Sequence, residues 1–305
     1  MWTHDAGSSA GENGYISTAY NSWLDSVVIA AGPRPSGEGE KVLKTIASSP
    51  AGAPDDTLGR EGEWYAKNGL YELAIAEYTR DMRFGTVGSD YFSRAKSYAK
   101  LHKYDLAIAD YNKVIEIEPG NAYAYNNRGN IYSDQQRYDQ AIADYAKAIQ
   151  LKSGYELPFA NRANAYEGKG LFDQAIADAN QAIALKADDA VAYDTRGFAY
   201  AGKGRYDLAI SDYTKAISIK PDDAWAYNNR AWAYHLQGAD ALGLPDVDRA
   251  IALAPEDAAA IETRAEIYER LSRRDESIAD YRAALKLQPT MKSALDGLKR
   301  LRAGM

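Results

Sequence analysis

No cysteine occurs in the 305 residues, which excludes disulfides, thiolate nucleophiles and cysteine-ligated zinc. Histidine is nearly as scarce. His4, His102 and His235 are scattered along the chain, without the paired spacing that suits a metal or a nucleophile–base arrangement. No glycine-rich phosphate loop follows a strand-like run, and the GKG tripeptides at 168–170 and 202–204 fall between helical patterns, where glycine serves a turn. No stretch reaches the roughly 18 apolar residues of a spanning helix. No block of Lys and Arg marks a nucleic-acid or anionic-membrane surface, and the net charge of −7 makes the surface acidic. Met1-Trp2-Thr3-His4-Asp5 lacks the basic start of a secretory leader. The cytoplasm is the first expectation for compartment, with an exported mature chain as the alternative. These absences point away from catalysis, and neither a cofactor nor a metal is expected.

What the chain does have is tyrosine, 24 of them, at helical spacing. Residues 190–223 read AVAYDTRGFAYAGKGRYDLAISDYTKAISIKPDD. Tyr193, Gly197 and Tyr200 stand at i, i+4 and i+7, on one face of a helix, and Ala209, Tyr213 and Ala216 repeat the spacing on a second. Gly202, Lys203 and Gly204 supply the turn between them, and Pro221 ends the second helix. A ring, small, ring stripe thus meets a small, ring, small stripe in an antiparallel pair. Such a pair cannot bury its apolar faces alone and needs neighbours stacked on it. The tyrosines read as structural on this pattern, not as a stacking platform for ligands.

The unit resembles the tetratricopeptide repeat, whose roughly 34-residue helix–turn–helix carries rings at 4, 11 and 24, small residues at 8, 20 and 27, and Pro at 32. Near-copies fill 55–87, 88–121, 122–155, 156–189, 190–223, 224–257 and 258–291, and residues 292–305 are similar to the end helix of such arrays. The resemblance implies an all-α, right-handed superhelical α-solenoid. Departures from the pattern are few. Asp81 stands for Ala in the first repeat, Ala179 for a ring in the fourth, and Ser277 for Ala in the seventh. In the sixth, Gly243 takes the Ala slot and Pro245 follows it, so that helix is expected to start late or kink near Leu244. In the end helix, Ala294, Leu295, Leu298 and Leu301 are expected to face inward, and Lys292, Lys299, Arg300 and Arg302 outward. Residues 1–54 are rich in Gly, Ser and Pro and read as flexible. Ile16, Tyr20, Trp23, Leu24 and Val27 make 15–30 a candidate helix that would cap Trp64 at the bare end of the array.

Two further patterns carry the functional argument. Position 7 is arginine in six repeats, Arg94, Arg128, Arg162, Arg196, Arg230 and Arg264. Position 23 is acidic in all seven: Glu77, Asp110, Asp144, Asp178, Asp212, Asp246 and Asp280. Pairing each acid with the arginine of the next repeat gives Glu77 a partner too, so a structural ion-pair ladder between repeats is expected. The competing reading is an anion-binding row. The second pattern lies where the resemblance implies a concave groove, at positions 2, 5, 6 and 9 of the first helices. Tyr123, Val191, Phe198, Trp225 and Trp232 offer apolar contacts there, and Asn126, Asn130, Asn164 and Asn228 offer amides that donate and accept at once. In-register stacking would set Phe198 beside Trp232 and Val191 beside Trp225. No repeat has Lys at position 2 or 5, so the chaperone carboxylate clamp is not resembled. The expected function is a non-catalytic scaffold that binds an extended peptide or a partner's helix. The expected partners are therefore protein or peptide, with no nucleic acid and no membrane insertion. Self-assembly, or an accessory role in polysaccharide export or glycosyl transfer, are the alternatives.

Overall fold

The computed structural model describes residues 60–82 and 88–303, and its helices lie in one unit, Gly59–Met305. The segment expected to cap the array at 15–30 lies outside the described residues. Among those residues there are fifteen helices packed in tandem and no strand, an all-α solenoid. They form successive antiparallel pairs: α1 (Arg60–Lys67) with α2 (Tyr71–Asp81), α3 (Gly88–Lys100) with α4 (Tyr104–Ile117), and α5 (Ala122–Asp134) with α6 (Tyr138–Leu151). The series continues through α7 (Leu157–Gly168) with α8 (Phe172–Leu185), α9 (Ala190–Gly202) with α10 (Tyr206–Ile219), and α11 (Ala224–Gln237) with α12 (Asp240–Leu253). It closes with α13 (Ala258–Arg270), α14 (Arg274–Leu287) and the end helix α15 (Lys292–Ala303).

Local signals explain where the helices begin and turn. The residue before several first helices is an N-cap whose side chain accepts from the first free amides: Asn121 from Ala124, and Asp189, Asp223 and Asp257 each from two amides in the first turn of the next helix. Each turn places one residue, always position 15 of the repeat, in the left-handed region. Gly69, Gly170, Gly204 and Gly238 take it without strain, whereas His102, Gln136 and Ser272 hold φ of 55°, 58° and 59°.

The core is thin and built from small residues and rings. Ala95, Ala107, Ala141, Ala175 and Ala209 are wholly buried, as are Tyr111, Tyr145, Tyr213 and Tyr281. Position 8 must be small because the ring at 24 lies across it. A Cβ on Gly129 would come within 2.7 Å of the Tyr145 ring, and one on Gly197 within 2.9 Å of Tyr213. Small residues at position 3 let the next repeat approach, so Ala124 joins the cluster of Tyr111 and Val114, and Ala294 joins that of Tyr281. Ser277 fits an alanine slot because its hydroxyl donates to the Ala265 carbonyl at 2.8 Å.

Two expectations need correction, the late start of the second helix in repeat 6 and the inward place of Leu295. Helix α12 begins at Asp240, the position equivalent to the start of the other second helices, and Pro245 sits inside it. Ala241, whose carbonyl loses its donor, is exposed, so water can replace that bond. Gly243 meanwhile packs against the Ala231 backbone, and Val247 and Ala250 are fully buried. In the end helix, Ala294 is buried and Leu298 and Leu301 pack on the same cluster as Tyr281, but Leu295 is exposed. A twelve-residue helix packed on the last pair from one side buries only one stripe, and Leu295 falls beside it.

Candidate functional site

The arginines pair within their own repeat, which corrects the expected ladder between repeats. Arg94 Nε and Nη2 donate to the two oxygens of Asp110, both at 2.8 Å. Arg128, Arg162, Arg196, Arg230 and Arg264 grip Asp144, Asp178, Asp212, Asp246 and Asp280 in the same two-pronged way, always 16 residues apart. The reason is the hairpin. Positions 7 and 23 are equidistant from the turn residue at 15, so they face each other across the two antiparallel helices. Rings flank the guanidinium, as Tyr91 and Tyr98 do for Arg94 at 5.6 and 5.7 Å and Phe159 and Tyr166 do for Arg162, whereas Arg264 has Tyr268 with Ile261 at position 4. The remaining nitrogen reaches back to position 25 of the preceding repeat: Arg128 to Asn112, Arg196 to Asn180, and Arg264 to Asp248 at 2.8 Å. Arg162 has Ala146 behind it, which offers no side-chain acceptor.

Glu77 shows the effect of a missing arginine. Glu61 occupies position 7 of that repeat, and Glu77 relies on Arg80 at 2.7 Å. Burial pushes its carboxyl up to about 7; Arg80 opposes the shift, and Glu61 and Asp81 add to it.

On the first helices, neighbouring repeats are joined by a staggered polar network. Asn161 Nδ2 donates to Asn126 Oδ1 and Asn130 Oδ1, each at 3.0 Å, and the Tyr145 hydroxyl donates to Asn130 at 2.8 Å. The Thr195 hydroxyl lies against the Asn164 carbonyl oxygen. Asn126, expected to line a groove, is only 2% exposed, and its amide is engaged by Asn127 and Asn161. Asn130 and Asn228 are half-buried, and Asn164 is exposed.

The aromatic residues are also arranged differently from expectation. Phe198 stacks on Trp225, with centroids 6.3 Å apart and planes at 15°, and both rings are exposed, by 37% and 45%. Trp232 is half-buried and stacks on His235 at 5.0 Å instead of lying beside Phe198. Successive first helices cross with an offset of about one to two turns, so position 9 of one faces position 2 of the next. Val191 is exposed. Towards the other end, Tyr123 is exposed, lies 5.0 Å from Tyr155, and has Lys152 over its ring at 4.6 Å. A cavity of about 580 Å³ opens there among Phe92, Lys96, Tyr123, Asn127 and Tyr155.

Sequence reasoning passed over a buried cluster in the last repeats. His235 Nδ1 lies 2.5 Å from Asp240 and Nε2 lies 3.5 Å from Glu266, beside a cavity of about 250 Å³ that Arg270 and Arg300 also line. Its only signal was a histidine at position 12, where Ala or Ser stands in repeats 2, 3 and 5. Burial and Glu262 raise the Glu266 carboxyl. Among the described residues no group of three or more His, Asp or Glu side chains is placed so that it could hold a metal ion.

Family models described as TPR repeat match residues 95–136 and 199–238, and models described as tetratricopeptide repeat match 122–155, 159–189 and 258–291, together more than half of the chain. The chain belongs to the tetratricopeptide repeat family. Members of this family are in general non-catalytic scaffolds for protein–protein interaction. A tetratricopeptide repeat protein from Parabacteroides merdae superposes with a TM-score of 0.66 at 16% identity, covering 81% of this chain and 98% of the other. The Cut9–Hcn1 structure of the APC/C gives 0.69 at 18% identity, covering 85% of this chain and 51% of that one, so this chain spans about half its length. The C-terminal part of a TPR repeat-containing protein from Cytophaga hutchinsonii gives 0.55 at 25% identity, covering 79% and 99%. No curated protein matches the chain in sequence. No tetratricopeptide helix among the described residues is long and apolar enough to cross a membrane.

Proposed function

We propose that this protein is a non-catalytic scaffold that binds an extended peptide segment of a partner along the first helices of repeats 3 to 6. The observation that carries this reading is the Phe198–Trp225 stack. Two large rings on the first helices of successive repeats are left in solvent although the repeat has ring slots in its core, and exposed apolar surface of this kind marks interaction sites. Val191, two turns before Phe198 on α9, is exposed as well, and Asn164 on the preceding first helix and Asn130 on the one before it carry amide nitrogens that can donate to a peptide backbone. Buried tryptophans dominate binding energies at interfaces, and their truncation typically costs about 2 kcal/mol or more. Trp225→Ala should therefore weaken capture of a bound peptide by about thirtyfold or more. The far-ultraviolet dichroism and the melt should stay unchanged, because Trp225 fills no core slot. Peptide binding that survives Trp225→Ala intact would refute the groove assignment.

A further inference from the structure

Each position-23 acid from Asp110 to Asp280 is neutralised by an arginine fork, but two acids on the first helices of repeats 4 and 5 are not. Asp194 is 4% exposed, and its Oδ1 has no hydrogen-bond partner among the described residues. The Asn229 amide nitrogen and the Asn228 carbonyl oxygen on α11 are buried without partners as well. In repeats 3 and 4 the equivalent pair, Asn126 and Asn161, is bonded at 3.0 Å. A polar contact that closes at one junction is thus left open at another. Glu167, half-buried on α7, is the other of the two. Phe198 lies one turn after Asp194 on the same face of α9, which sets the exposed ring stack beside the acid.

We propose that this stretch, from Asp194 to the Phe198–Trp225 stack, takes an arginine or lysine side chain of the partner peptide. The inference rests on the groove reading above. Charge complementarity selects the occupant. The cation head donates to the Asp194 carboxylate and the Asn228 carbonyl oxygen, and its aliphatic stem lies along the rings. Lys220, the cation of this chain that acts on Asp194, does not serve instead, because Asp223 holds it at 2.9 Å. Burial pushes the Asp194 and Glu167 carboxyls up to about 8; for Asp194 the neighbouring Asp223 and Asp212 add to this and Lys220 opposes it. An arriving cation therefore ionises the carboxyl, and the proton leaves to the buffer. Affinity for a basic peptide rises with pH up to about 8 and levels off above it, roughly tenfold per unit for each proton released.

A random dodecapeptide library displayed on phage, selected on the full chain at pH 8.5, tests this. The expected peptides carry Arg or Lys at a fixed distance from an apolar residue. Anisotropy of one selected peptide and its citrulline analogue, at pH 6.5 and 8.5, then gives the second reading. The arginine peptide should bind at least tenfold tighter at the higher pH, and the citrulline peptide should show no such gain. Asp194→Asn should abolish both the pH gain and the preference for arginine. If that variant fails to fold, the pH profile of the unaltered protein decides. Selected peptides that lose binding with Trp225→Ala yet show no basic residue and no pH gain overturn this inference and leave the groove reading intact. Peptides indifferent to Trp225→Ala overturn both.

Discussion

Arg162 holds Asp178 by two bonds and has no side-chain acceptor behind it, whereas Arg196 holds Asp212 and also reaches Asn180. The acids are more deeply buried than the arginines, so removing the arginine strands a charge. Arg162→Ala is expected to destabilise by about 3–5 kcal/mol, and Arg196→Ala by more, because it also loses the link to the preceding repeat. Urea unfolding midpoints of the two variants check the order. Glu77 is the mirror case, an acid that never received its arginine. Its carboxyl ionises at about 7 in the folded protein, against an ordinary value of 4.5. The folded state therefore binds the proton more tightly, and stability from this group is full below about 4.5 and lost as pH rises through about 7, at up to about 1.4 kcal/mol per unit. Melting temperatures at pH 5 and 7.5 should differ less in Glu77→Gln than in the unaltered protein. Asp194 and Glu167 slope the same way, so part of the difference persists. Glu61→Arg, which restores position 7, should raise the melt at pH 7.5.

At the level of helices and turns, the three strained residues at position 15 are the clearest target. Gln136→Gly and Ser272→Gly replace side chains held at positive φ in exposed turns and should each stabilise by about 1 kcal/mol. Gly170→Ala should cost a similar amount. These turns also show why part of the molecule could be read in advance and part could not. Ring and small slots recur at every repeat, so helices, turns and core positions follow from Tyr193, Gly197 and Tyr213 alone. The partner of Asp110 does not, because Arg94 and Arg128 are almost equally near in sequence. Only the hairpin symmetry about the turn decides for Arg94. Asn126 and Trp232 were misplaced for a related reason. The crossing offset between neighbouring first helices is a property of packing, and no spacing within one repeat encodes it. Pro245 misled because solvent exposure at Ala241 cannot be read from the proline itself.

Across the whole array, each repeat touches mainly its neighbours, so stability is a sum of repeat and interface contributions. The end helix is the most exposed test of that additivity. Removing residues 292–305 would uncover Tyr281 and break the Arg300–Glu269 pair. Losing that cover should lower stability by a few kcal/mol and the melt by several degrees, with the spectrum of the remaining helices unchanged. A calorimetric trace that did not shift would mean α15 only rests on the array.

The arginine fork closing inside one repeat has a consequence for how such a chain can grow. A charge and its counter-charge that travel within the same thirty-odd residues are copied together when the coding segment is duplicated, and removed together when it is lost. Had each acid depended on the next repeat, internal pairs would still survive a whole-repeat duplication, but the first arginine and the last acid of any array would be buried at its two ends without partners. Here the fork is complete within the repeat; what crosses a seam is the contact to position 25, which Ala146 shows the array can lack, and exposed pairs such as Lys169–Asp139 and Lys203–Asp173. The arginine forks are thus inherited one whole unit at a time, and an array of any number of repeats ends without a stranded fork.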